Sequence, residues 1–153
     1  MSKNFLLESA GMLKQVSSET AAEYDRKAKN LICCINAMMT GRPDIENLIG
    51  KNNLNLMRDN HASHVRFIAS MLKNPNPYVL VEKVLWIFRA YRSNGFTISC
   101  WAAQVNTWMI VLHDELSDAA FSEILPYYEW MQVNIPLFIW VSDKKPEPQY
   151  SLN

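Results

Sequence analysis

Two histidines three residues apart, His61 and His64 in DNHASHVRF, are the residues of this chain whose type and spacing best suit chemistry. On a helix that spacing puts both imidazoles on one face, where they could share a metal ion or one could ligate haem iron. Bundle metal centres draw Glu-x-x-His pairs from facing helices. None is present here, so no metal is expected, and the simpler expectation is a partly buried pair hydrogen-bonded across a bundle. A second cluster joins Trp86, Arg89, Tyr91 and Arg92. Guanidinium forks beside aromatic faces suit a planar or anionic ligand, although Arg near a helix end also pairs with carboxylates such as Glu115 or Glu129 and offsets the helix dipole. His113-Asp114-Glu115 reads as a solvated helix end, and adjacent Cys33 and Cys34 point about 100° apart on a helix, which suits packing better than redox chemistry. The chain has no Gly-rich phosphate loop, no dinucleotide fingerprint and no nucleophile with a convincing base. It is not expected to be an enzyme; a metal-dependent hydrolase is the weakest of the alternatives.

The elements that must carry these residues are helices. Ser17 to Thr40 places Tyr24, Ala28, Leu31, Ile32, Ile35, Met38 and Met39 at helical steps, with Thr20 and Glu23 as a capping box and Gly41 and Pro43 as the stop. A short turn of helix is expected over Asp44 to Ile49. Asn53 to Lys73 carries Leu54, Met57, His61, His64, Ile68, Met71 and Leu72 on one face. Asn76 and Pro77 open the next helix, which faces inward with Val81, Val84, Leu85, Phe88 and either Arg92 or Tyr91 and ends at Gly95. Thr97 or Ser99 caps another, with Trp101, Val105, Trp108, Met109 and Leu112, and Ser117-Asp118 begins the following one. Pro126 and Pro136 predict a kink or break near each. The stretch from Pro77 to Leu116 reads as a central helical hairpin, with Trp101, Trp108, Trp130 and Trp140 in the core.

Composition bounds the rest. At 153 residues, 49% hydrophobic and with four glycines, the chain suits one all-α domain, a bundle of five to seven helices that includes a globin-like arrangement among its forms. The division is residues 1–16 as an arm or short helix, 17–142 as the bundle and 143–153 as a tail. Fifteen basic and fifteen acidic residues cancel, which argues against nucleic-acid binding and eases self-association. Three cysteines without C-x-x-C, no secretory signal and no membrane span indicate a cytoplasmic protein.

The segments HASHVRFIASMLKN, LVEKVLWIFRAYRSNGF, QVNTWMIVLHDEL and LPYYEWM, in that order, resemble helical modules that precede signalling or cofactor domains in bacterial proteins. Two are similar: the helical cap before a cobalamin-binding domain and the globin-like N-terminal domain of stressosome-type sensors. The resemblance covers about residues 55 to 140 and rests on helix order and apolar spacing. The globin-like form implies a haem-free bundle that dimerises and passes a signal to another domain. The cobalamin form implies a Trp followed nine residues later by Glu-His; neither Trp101 nor Trp108 has that sequel, and the Asp-x-His-x-x-Gly loop is absent.

The expected function is therefore a non-enzymatic sensor or interaction domain of bacterial signalling, a homodimer with a signalling partner and without a cofactor. Thirteen of the seventeen aromatic residues lie between Tyr78 and Trp140, and aromatics anchor interfaces, so that region is the expected contact surface. The alternative is a bundle that binds haem, a tetrapyrrole or another hydrophobic small molecule. Ligand-binding or interface residues are expected among His61, His64, Trp86, Arg89, Arg92, Trp101 and Trp108.

Overall fold

Helix-forming patterns with strong stop signals run through most of the chain, and a computed structural model describes residues 2–143 as helices joined by short turns, with no strand among them. The order is α1 (Ser2–Gly11), α2 (Ser18–Arg26), α3 (Ala28–Thr40), α4 (Ile45–Ile49), α5 (Leu54–Lys73), α6 (Pro77–Ser93), α7 (Ile98–Glu115), α8 (Asp118–Val133) and α9 (Ile135–Asp143). The protein is an all-α bundle with more, shorter helices than expected. The tail assigned to residues 143–153 lies outside the described residues after Asp143.

Local chemistry explains most boundaries. Asn76 accepts from the Val79 N–H at 3.1 Å with Pro77 in the first turn, and Thr97 accepts from Cys100 N–H at 3.1 Å. Gly95, at φ 89°, makes the left-handed turn between α6 and α7. The long helix expected from Ser17 to Thr40 is divided at Lys27, where φ −90° and ψ 3° leave the helical region. Its ammonium donates to the Glu115 carbonyl at 2.8 Å, meeting a free acceptor at the end of α7. Pro126 does not break α8: Pro126 and Ser122, whose carbonyl loses its helical donor, are both exposed, so water can serve that oxygen. The chain breaks instead at Asn134, and Pro136 falls in the first turn of α9, where no N–H is needed.

The helices divide into two layers by their closest packing. One holds α2, α3, α5, α7 and α8, with α4 against α7; the other holds α1, α6 and α9, and α8 meets α9 between them. The Pro77–Leu116 segment is thus no tight hairpin, because α6 and α7 belong to different layers and meet through rings. Phe88 lies edge-on to Trp101 at 5.2 Å, Tyr91 meets Trp101 at 5.6 Å, and Phe138 reaches Phe88, Trp101 and Trp130 at 5.5–6.0 Å. Such large side chains hold the layers together while keeping their backbones apart. The first helix is integral to this arrangement: Leu6 and Ala10 are buried, and α1 packs on α6 and α9. Trp101, Trp108 and Trp130 are core residues as expected, but Trp86 and Trp140 are 62% and 55% exposed. Trp140 stands two residues from buried Phe138, about 200° around the helix, and so faces outward.

At the seam between α2 and α8 the polar groups are tied in pairs. Glu23 does not fold back on Thr20 as a capping box; it crosses to α8 and accepts from the Ser117 N–H and Oγ, both at 2.7 Å. Glu123 does the same for α2, accepting from Ser17 N–H at 2.7 Å, from Ser17 Oγ at 3.1 Å and from Thr20 Oγ1. Ser17 and Ser117 are the caps, each accepting from the N–H three residues on at 3.2 Å. Each helix start is thus closed by a carboxylate six residues into the other helix. The recurrence of Ser followed six residues later by Glu, at Ser17 and Ser117, was the available signal.

Candidate binding cavity

Because aromatic rings space the layers, a cavity of about 330 Å³ remains between α5 and α7 on one side and α6 on the other. Helices α5 and α6 run antiparallel. The Asn74–Asn76 turn joins them at one end, and Asn53 at the other, its Nδ2 donating to the Ile49 and Asn94 carbonyls at 2.6 and 2.9 Å. Gly50, at φ 82°, and Gly95 lie beside that amide and let the two turns approach. From α5 the lining is Leu56, Asn60, His61, Ser63, His64 and Phe67; from α6 it is Lys83, Val84, Trp86, Ile87 and Tyr91; from α7 it is Trp101, Gln104, Val105 and Trp108. Lys83 is the only charged side chain among these, since both histidines are held neutral.

His61 and His64 share a face of α5, but their environments differ. His61 is buried, and both its nitrogens are used. Tyr91 donates to Gln104 Oε1 at 3.0 Å, Gln104 Nε2 lies 3.1 Å from His61 Nε2, and His61 Nδ1 lies 2.6 Å from Asn36 Oδ1. One direction of donation satisfies the set: Tyr91 to Gln104, Gln104 to His61, His61 to Asn36. The imidazole therefore carries its proton on Nδ1. Burial pulls its pKa down to about 4.

His64 stacks on Trp108 with centroids 4.9 Å apart, and its Nε2 lies 2.8 Å from the Tyr128 hydroxyl, itself 2.9 Å from the Tyr24 hydroxyl. Both tyrosines are buried, and Tyr24 has no other partner among the described residues. If His64 donated to Tyr128, Tyr128 would donate to Tyr24 and the Tyr24 proton would have no acceptor, a cost of about 1–3 kcal/mol. Donation from Tyr24 to Tyr128 to His64 satisfies both buried hydroxyls. In that order the His64 proton sits on Nδ1, which has no partner among the described residues, in a side chain that lines the cavity, where water or a ligand can accept it. Burial, then the charge of a protonated His61, holds its pKa near 3. The ring is a neutral N–H donor.

Of the other expected site residues, Trp101 and Trp108 line the cavity wall, and Trp86 lies on its rim with the Lys83 ammonium 4.9 Å above its ring. Arg89 and Arg92 do not join the site. They lie on the far side of α6 from Lys83, Ile87 and Tyr91; both are exposed, and Arg92 pairs with Asp143 of α9 at 2.6 Å rather than with Glu115 or Glu129. Among the described residues, no group of three or more His, Cys, Asp or Glu is placed to hold a metal. Cys33 and Cys34 diverge as expected: Cys33 is exposed, and burial followed by the Glu115 carboxylate 3.4 Å away raises the Cys34 pKa. Burial raises that of Cys100 to about 12. Neither Cys34 nor Cys100 is activated by a depressed pKa.

Sequence reasoning missed Lys83, Gln104, Asn36 and the Tyr24–Tyr128 pair. Gln104 left a signal, being the one amide on the otherwise apolar α7 face of Trp101, Val105 and Trp108. Lys83 left none, since a lysine on an amphipathic helix reads as solvated.

Comparison with protein-family models, with curated proteins and with solved structures finds no match for this chain.

Proposed function

We propose that this protein is a non-enzymatic binding domain for a small, flat, largely apolar molecule that carries a hydrogen-bond acceptor. The observation behind this reading is that His64 lines an aromatic-walled cavity with its Nε2 tied to Tyr128 and its Nδ1 without a partner among the described residues, which the hydroxyl order makes an N–H donor. Pockets that hold small molecules combine apolar walls with a few placed polar groups and measure about 300–1,000 Å³; this one, at 330 Å³, suits one or two rings. Haem or another tetrapyrrole suits it less well: His61 has no free nitrogen, and a lone pair on His64 Nδ1 would orphan the Tyr24 proton. Catalysis is disfavoured by the same geometry. A general base works best with a pKa near the operating pH, and both histidines lie far below it.

The sensor role expected from the sequence fits a ligand held between two layers, since occupancy would alter how α6 sits against α5 and α7. A homodimer would use the exposed stripe of α6 on which Val79 and Trp86 lie two turns apart. No helix among the described residues is long and apolar enough to cross a membrane. The exposed thiol of Cys33 suits a reducing, cytoplasmic setting.

Native mass spectrometry of the full chain tests binding and assembly together. A bound small molecule is expected in the wild type, added as 2-naphthamide if none is retained on purification. Ile87→Trp, which fills the cavity from α6, should abolish it. A wild type that holds neither 2-naphthamide nor its carboxylate analogue 2-naphthoate at saturation, or an Ile87→Trp variant that binds equally well, overturns the reading.

A further inference from the structure

The cavity carries one more piece of information than its shape, namely its charge. Lys83 is half-buried on the first half of α6, lines the cavity beside Trp86, and makes no ion pair among the described residues. Lys3 pairs with Glu82, Lys27 with Glu23 and Lys73 with Asp25, whereas Lys14, Lys29 and Lys51 also lack an ion pair among the described residues; of the unpaired lysines only Lys83 lines the cavity. Glu82, the acid next to Lys83 in sequence, is thus engaged with α1 and does not neutralise it. The remaining lining groups are amides, hydroxyls, neutral imidazoles and hydrocarbon, with no carboxylate. A partly desolvated cation beside apolar walls favours an anion, because the walls exclude the water that would screen the pair.

We propose that the ligand is an aromatic monocarboxylate, its rings inside the cavity with a ring acceptor toward His64 and its carboxylate on the Lys83 ammonium at the rim. This rests on the binding reading above and adds the ligand's charge. Three features converge. The walls present the rings of Phe67, Tyr91, Trp101 and Trp108, which favour a flat aromatic body. Lys83 is held over the Trp86 ring by a cation–π contact, so its ammonium is positioned at the entrance before any ligand arrives. The wall carries a single positive charge, which matches one carboxylate and leaves a dianion one charge unmet.

The test compares two probes of nearly equal shape, 2-naphthoate and 2-naphthamide, by isothermal titration calorimetry with the full chain at low ionic strength. Naphthoate is expected to bind at least tenfold more tightly. Lys83→Met should remove that preference by weakening naphthoate to the level of the amide while leaving the amide unchanged, and Lys83→Arg should keep it. Equal binding of the two probes by the wild type, or a preference that survives Lys83→Met, overturns the charge assignment and leaves the cavity reading standing. Binding of neither probe overturns both.

Discussion

The α2–α8 seam and the seam between the two helical layers are built on opposite terms. Along α2 and α8, Glu23 closes the start of α8, Glu123 closes the start of α2, and the Tyr24 and Tyr128 hydroxyls meet between them. Between the layers the contacts are rings with few polar links, and the rings leave about 330 Å³ unfilled. Directional hydrogen bonds fix helix positions closely, whereas ring packing tolerates spacing. The first seam is suited to hold the bundle together, and the second, on the proposed reading, to admit a ligand. His64 touches both, bonded to Tyr128 on one side and lining the cavity on the other.

The contrast fails most visibly if Trp101 proves dispensable. It is buried at the centre of the ring cluster, so Trp101→Ala should lower unfolding free energy by about 3–5 kcal/mol in urea titrations. Trp86→Ala should change it by less than about 0.5 kcal/mol while weakening ligand binding, because that ring is exposed at the rim. Equal stability losses would mean that the rings do not divide into core and rim. The tyrosine pair offers a narrower test. Tyr128→Phe strips His64 Nε2 of its donor and Tyr24 of its acceptor, costing about 1–3 kcal/mol. Tyr24→Phe leaves Tyr128 free to donate to His64 and should cost clearly less. The 15N chemical shifts of the His64 ring check the proton directly: a protonated Nε2 and a bare Nδ1 would remove the donor from the cavity.

The smallest expected effect is on the pH dependence of the tied seam. Glu23 titrates below its ordinary 4.5 chiefly because it accepts from the Ser117 backbone N–H, and Glu123 chiefly because it accepts from the Thr20 hydroxyl. Folding favours both ionised forms, so their contribution is complete above about 4.5 and is lost as pH falls through the lower folded values. The histidines act in another window. They are held neutral, His61 buried and His64 partly so, and the unfolded chain takes up protons that the fold refuses; stability therefore falls as pH drops from the ordinary 6.5 toward the value near 4 of His61. Urea midpoints measured from pH 7 to 3 should fall through both windows. Glu23→Gln or Glu123→Gln should flatten the lower window alone, and a change confined to the upper one would contradict the reciprocal capping.

The helices and most of their caps were legible in the sequence because they depend on near neighbours. Asn76-Pro77, Thr97, Ser117 and Gly95 act within a turn of where they stand, and apolar spacing shows which face a helix buries. The same locality explains the errors. Glu23 follows Thr20 at capping-box spacing and could not reveal that Ser117 would claim it. Trp86 and Trp101 look equally apolar in sequence, yet only Trp101 lies in the ring cluster.

For the site, the sequence by itself determined that His61 and His64 share one helical face beside a region rich in tryptophan. That follows from helical geometry alone. Only the tertiary structure decided that one imidazole is used up while the other keeps an unpaired ring nitrogen, that Arg89 and Arg92 face away, and that Lys83 stands at the cavity rim without a carboxylate. Each of these depends on which distant helix supplies a partner: Asn36 from α3 and Gln104 from α7 for His61, and Tyr128 from α8 for His64. A hydrogen bond across tens of residues leaves no periodicity in the chain, so its proton order becomes readable once the layers are in place.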